Sequence, residues 1–118
     1  MDYNNDNIFA KILRGEIPCD KVSEEDRAMA FNDINPQAKV HALVIPKGAY
    51  ISFADFSECA DDAEIVSFVR AIGKTARQLG VEETGYRLLI NTGKDANQEV
   101  PHLHAHIVGG QNLGKMLP

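Results

Sequence analysis

The sequence contains no tryptophan, only two cysteines and no apolar run near the roughly 20 residues that span a bilayer. The missing run argues against a membrane protein. Cys19 and Cys59 lie far apart and form no C-x-x-C pair, which removes the usual zinc-knuckle and thiol-redox motifs. Neither G-x-G-x-x-G nor G-x-x-x-x-G-K-[ST] occurs, so any bound phosphate must be held by something other than those glycine loops. Basic residues are the minority, 12 against 17 acidic, for a net charge of −5, which disfavours binding to nucleic-acid backbone through clustered Lys and Arg. The opening residues, 1–6, are polar and acidic, with neither the basic nor the apolar segment of a secretory signal. We therefore expect a cytoplasmic protein with a disordered lead-in at 1–6.

Three of the four histidines stand at alternate positions, His102-Leu103-His104-Ala105-His106, followed by Ile107-Val108-Gly109-Gly110. In a strand this spacing puts the imidazoles on one face and Leu103, Ala105 and Ile107 on the other. Imidazole titrates near neutrality and can act as nucleophile, acid, base or metal ligand.

The remaining pattern fits one domain of 118 residues. A short helix is expected at 8–14, between the caps Asp6 or Asn7 and Gly15. A hairpin joins 21–23 to 28–33, a third strand runs over 40–45, and apolar residues at helical spacing predict one long helix over 57–79. Two further strands, 85–91 and 101–108, flank a polar loop at 92–99. This order predicts an α+β fold on an antiparallel five-stranded sheet.

Two chemistries compete for the histidines. Zinc could use two of them with His41 as a third ligand. Phosphate suits the adjoining loop better, because backbone N–H groups, the Asn91 amide and ring N–H groups all donate to anionic oxygens. One imidazole would then attack phosphorus while a neighbour protonates the leaving group, with the middle histidine, His104, as attacker. Asp33 falls in step with Phe31 on its strand and suits a vicinal diol, but it reads equally well as a turn acid before Asn35-Pro36. Phe31 and the isoleucines, taken alone, read as core.

With these motifs in hand, the chain resembles the histidine triad superfamily, and within it the Hint branch of bacterial-type purine nucleoside phosphoramidate hydrolases. The likeness runs from about Asn7 to Leu117, through 8–12, 15–18, 30–36, 41–46 and the triad. It implies a homodimer with one continuous sheet, acting on a purine nucleotide substrate without a cofactor. It implies that His104 is the nucleophile, that His106 contacts the phosphate and assists the leaving group, and that His102 and His41 orient the nucleophile. Asn91 matches the phosphate-binding asparagine and Asp33 the ribose-binding carboxylate. Ile8, Phe9, Ile12, Phe31 and Ile34 match the slot around the base.

Three departures stand out. The C-x-x-C positions that hold zinc in many relatives are Asn7 and Ala10 here, so no metal is expected. The usual Gly-Gln-Ser or Gly-Gln-Thr reads Asn97-Gln98-Glu99, which puts a carboxylate where a hydroxyl would contact phosphate or leaving group. Glu99 either faces the leaving group or turns to solvent beside Lys94. The tail, 111–118, which in the family reaches the partner's site, lacks the tryptophan found in some members. Rival readings are a dinucleoside polyphosphate hydrolase of the Fhit type, a nucleotide-binding regulatory or scaffold protein, and a metal-binding module.

Overall fold

A computed structural model describes residues 2–117; Met1 of the lead-in and Pro118 of the tail lie outside the described residues. Helix α1 (Ile8–Leu13) is followed by strands β1 (Asp20–Glu24), β2 (Ala28–Asn32) and β3 (Val40–Pro46). Helices α2 (Phe53–Cys59) and α3 (Asp62–Gln78) come next, then β4 (Tyr86–Leu89), a 3-10 turn (Lys94–Ala96) and β5 (Ala105–Gly109). The five strands form one antiparallel sheet in the order β1-β2-β3-β5-β4.

The sheet has two apolar faces. On one, α3 lays Phe68, Ala71, Ile72 and Ala76 against Ala28, Ala30, Val44, Leu103, Ala105 and Ile107. The alanines at 28, 30 and 105 leave room for the helix to approach the strands closely. On the other face, Phe9 and Ile12 of α1 pack with Met29, Phe31, Leu43 and Ile45. This second core is smaller, and the cleft opens beside it. No helix among the described residues is long and apolar enough to cross a membrane.

Three elements differ from the sequence expectation. The single long helix is two, because Ala60 is extended and Asp61 starts α3 with a capping box: Glu64 N–H donates to Asp61 Oδ1 at 2.8 Å and Asp61 N–H to Glu64 Oε1 at 3.2 Å. Asp61 and Glu64 are thus the cap and first-turn acid of a second helix. The last strand begins at Ala105, not at 101, and is shorter than expected. Its final pair with β3 is Val44–Ala105, and beyond it Leu103 N–H donates to the Tyr50 carbonyl at 2.8 Å while the His102 ring takes the Pro46 carbonyl. Residues 101–104 are thus held by loop and side-chain bonds in place of a ladder. Near the N-terminus, Tyr3 and Asn4 make defined contacts in the stretch expected to be disordered: the Asn4 carbonyl accepts from Asn7 Nδ2 at 2.8 Å.

The two glycines after the triad serve packing. A Cβ on Gly109 would stand 3.1 Å from Val81 Cγ1 and 3.3 Å from the Gly85 carbonyl, so a larger residue there would push β5 and the segment after α3 apart by a few tenths of an ångström.

Candidate active site

A cleft of about 900 Å³ runs along the α1 side of the sheet. Its inner wall is formed by Phe9, Ile12, Phe31 and Leu43, and its polar side by Asp33, His41, Asn91, Asn97, Glu99, His104 and His106. Residues scattered over nearly the whole sequence meet here because β3 and β5 are neighbours in the sheet, while α1 packs Phe9 and Ile12 against β2 and β3.

All three triad imidazoles lie on the α1 side, but the expected open row of three narrows to two. His104 and His106 line the cleft, with ring centroids 5.1 Å apart. His102 is fully buried behind them and does not line it. It touches Tyr3 and Phe9 with T-shaped ring contacts. The reason is local: His102 precedes β5, where the chain has left the ladder and turned its ring toward Pro46.

The hydrogen bonds assign the tautomers through the chemistry of each partner. A carbonyl can only accept, so His104 Nδ1–H donates to the His102 carbonyl at 2.7 Å and leaves Nε2 with a lone pair. By the same rule His102 Nε2–H donates to the Pro46 carbonyl at 2.8 Å. The Gln37 N–H donates to His41 Nδ1 at 3.0 Å, so the His41 proton sits on Nε2. That proton faces His106 Nδ1 at 2.9 Å and Asp33 Oδ2 at 3.3 Å. His106 is left with its proton on Nε2. The cleft therefore presents one imidazole with an available lone pair beside one with an available N–H.

This arrangement revises one expected role. The His102 backbone carbonyl aims His104, whereas the His41 ring bonds His106, not the middle histidine.

Loss of solvent lowers the basicity of all three triad rings, His102 and His104 being buried and His106 partly buried. His104 lies below its ordinary value of 6.5, chiefly through loss of solvent and against its bond to the His102 carbonyl. His106 is pushed to about 4 by burial, with His104 and His41 adding to the effect. His102 is also pushed to about 4, again mainly by burial. Neutral rings, the form that the bond pattern requires, are favoured at pH 7.

Asp33 bonds as a turn acid through one oxygen and meets the histidine pair through the other. Oδ1 accepts from the Asn35 N–H at 2.8 Å, as a turn acid does, while Oδ2 faces His41. Ile34, expected in the base slot, is 97% exposed at the cleft mouth, and Ile8 is 44% exposed; Phe9, Ile12 and Phe31 form the buried part. Asn91 is half-buried at the cleft wall. Asn97 ends the 3-10 turn with φ of 57°, a left-handed conformation that asparagine tolerates better than most side chains. Glu99 is exposed and makes no ion pair with Lys94 among the described residues.

Some contributors carried no sequence signal. Gln37 acts through its backbone N–H, and Pro46 through its carbonyl, which any residue would supply. Gln98 pins the polar loop, accepting from the Gly93 N–H at 3.0 Å and donating to the Ile51 and Val100 carbonyls at 2.7 and 3.0 Å. Tyr3 lies in a polar terminal stretch whose sequence gives no sign of a contact with the triad.

Asp33, His41 and His106 bring three potential metal ligand atoms within 4.8 Å of one another. The groups around these ligand atoms do not suit a cation. Metal-bound histidine normally donates its other ring N–H to an acceptor, but His41 Nδ1 faces the Gln37 N–H donor. A cation on Nε2 would need a ring with neither nitrogen protonated.

Comparison with known proteins agrees with the motif and the fold. The HIT domain family model matches residues 14–113. A 13.2 kDa HIT-like protein of Azospirillum brasilense is 59% identical over 115 residues, covering 98% of this chain and 94% of that protein. The purine nucleoside phosphoramidase of Escherichia coli K12 is 43% identical over 112 residues, covering 95% and 93%. Among solved structures, a histidine triad protein from Clostridium difficile superposes with a TM-score of 0.83 at 47% identity, covering 98% of each chain. An antiparallel sheet carrying paired cleft imidazoles, a family match over most of the length and full-length relatives together show that this chain belongs to the HIT domain family, in its Hint-like branch.

Proposed function

We propose that the protein hydrolyses purine nucleoside 5′-phosphoramidates, and aminoacyl-adenylate-like compounds, through a covalent nucleotidyl-histidine intermediate. The observation that carries this reading is the paired tautomers: a lone pair on His104 Nε2 beside an N–H on His106 Nε2.

In the first step His104 Nε2 attacks the α-phosphorus, forming an N–P bond as the bond to the leaving amine breaks. His106 Nε2–H passes its proton to that amine. In the second step water attacks the same phosphorus and gives a proton to His106, the P–N bond to His104 breaks, and the nucleoside monophosphate leaves. The His102 carbonyl accepts from Nδ1–H throughout and stabilises the positive charge that develops on His104 during attack. Asn91, Asn97 and His106 Nε2–H are the donors for the phosphate oxygens. Asp33 takes the ribose hydroxyls, and Phe9, Ile12 and Phe31 take the base.

The Glu99 carboxylate at the cleft favours an amine leaving group over an anionic polyphosphate. A homodimer joined along β4 is part of the same proposal. Beyond β4 the sheet edge is open, and Tyr86, Leu88 and Leu89 are partly exposed on it. Arg87 holds the tail beside this edge, donating to the Gly114 and Lys115 carbonyls at 2.9 and 3.1 Å, so the tail lies where a second subunit would meet the strand.

The test is steady-state hydrolysis of an adenosine 5′-phosphoramidate bearing a fluorescent amine, in native protein and His104→Ala, with chelator present. Chelator-resistant turnover that collapses in the variant is the expected result. Tight AMP binding without turnover in native protein would favour the scaffold reading instead.

A further inference from the structure

Outside the chemistry assigned above, one polar contact joins the N-terminal segment to the site. Tyr3 Oη lies 2.5 Å from His102 Nδ1 across 99 positions of sequence, and the tyrosine ring meets the imidazole edge-on at 5.6 Å. His102 is fully buried, and its Nε2–H is committed to the Pro46 carbonyl. Nδ1 is therefore an acceptor, and the Tyr3 hydroxyl is its donor among the described residues. Without it a buried lone pair would stand unpaired.

We propose that Tyr3 is a positioning residue for the nucleophile, its hydroxyl locking the buried His102 ring so that the His102 backbone carbonyl stays aimed at His104 Nδ1. The inference rests on the proposed reaction. Tyr3 does not line the cleft, so it acts only through His102. The lock has a matching set of neighbours: Phe9 of α1 contacts both His102 and His104 rings edge-on, at 6.3 and 5.0 Å, and Pro46 closes β3 at the other ring nitrogen. Asp55 of α2 is the carboxylate whose charge acts on His102, and His104 is the neighbouring titratable ring. A ring held at both nitrogens has one rotamer and one tautomer, and the carbonyl two bonds along the backbone inherits that fixity.

The experiment compares native protein with Tyr3→Phe, which keeps the ring edge and removes only the hydroxyl. We expect kcat for the fluorescent adenosine 5′-phosphoramidate to fall about tenfold with KM within about twofold, because substrate contacts are untouched. We also expect the His102 Nδ1 resonance in nitrogen-15 spectra, recorded without substrate, to move from its hydrogen-bonded position while the folded spectrum is kept. An unchanged His102 resonance, or a moved resonance with unchanged kcat, overturns the proposal. If native protein shows no turnover, the reaction reading fails, and with it the proposed effect on rate; the His102 resonance then decides separately whether the lock exists.

Discussion

His104 Nδ1–H donates to the backbone carbonyl of His102 at 2.7 Å, so the residue two positions before the proposed nucleophile orients it through its main chain. The His102 side chain faces the other way, into the protein. Substitution at 102 is therefore expected to act by repacking a buried site, and substitution at 104 by removing the atom proposed to react.

His104→Ala is expected to lower kcat/KM by at least about 10³-fold, with folding intact, because the ring sits at a cleft wall. Acid-quenched native protein should carry the mass of one nucleoside monophosphate, and the variant should not. His106→Ala should cost about 10²–10⁴-fold with a poorly leaving alkylamine and far less with an activated arylamine, since only the former needs the proton.

The pH dependence follows from burial. His104 must be neutral to attack, and its pKa lies below 6.5, so the acid limb of kcat/KM should have its midpoint below 6.5. A midpoint at or above that value would contradict the buried geometry.

Stability should follow the same rings. His102 and His106 titrate at about 4 when folded and near 6.5 when unfolded, so the unfolded chain binds more protons between those values. The contribution is full above pH 6.5 and is lost as pH falls toward 4. Urea midpoints at pH 7.5 and pH 5 should show the decline.

Glu99→Ser should raise the use of dinucleoside polyphosphates relative to phosphoramidates by about three- to tenfold, by removing like-charge repulsion at an exposed, screened position. Rates on both substrate classes measured in parallel give the ratio; an unchanged ratio takes Glu99 out of the selection of leaving groups.

Leu88→Lys places a charge on the open edge of β4 and should leave a monomer in sedimentation equilibrium, against the dimer proposed for native protein. The far-ultraviolet spectrum should be unchanged, because the side chain is 45% exposed within one chain.

Much of this molecule is written locally. The alternation of 102–107 alone puts Leu103, Ala105 and Ile107 in the α3 core and the imidazoles on the opposite side. The antiparallel five-stranded sheet and short first helix follow from local periodicity, and the family follows from motifs in order. The break at Ala60 was also legible, as Asp61-x-x-Glu64, but the same acids fit the start of a longer helix, and only the reciprocal bonds distinguish the two. What tertiary structure alone decided is which nitrogen carries each proton. The His104 tautomer depends on a carbonyl, that of His41 on a backbone N–H, and that of His102 on Pro46 and on Tyr3 from the far end of the chain. Backbone groups are the same in every residue and distant partners have no fixed spacing, so residue identity sets the kind of chemistry while folding sets its direction.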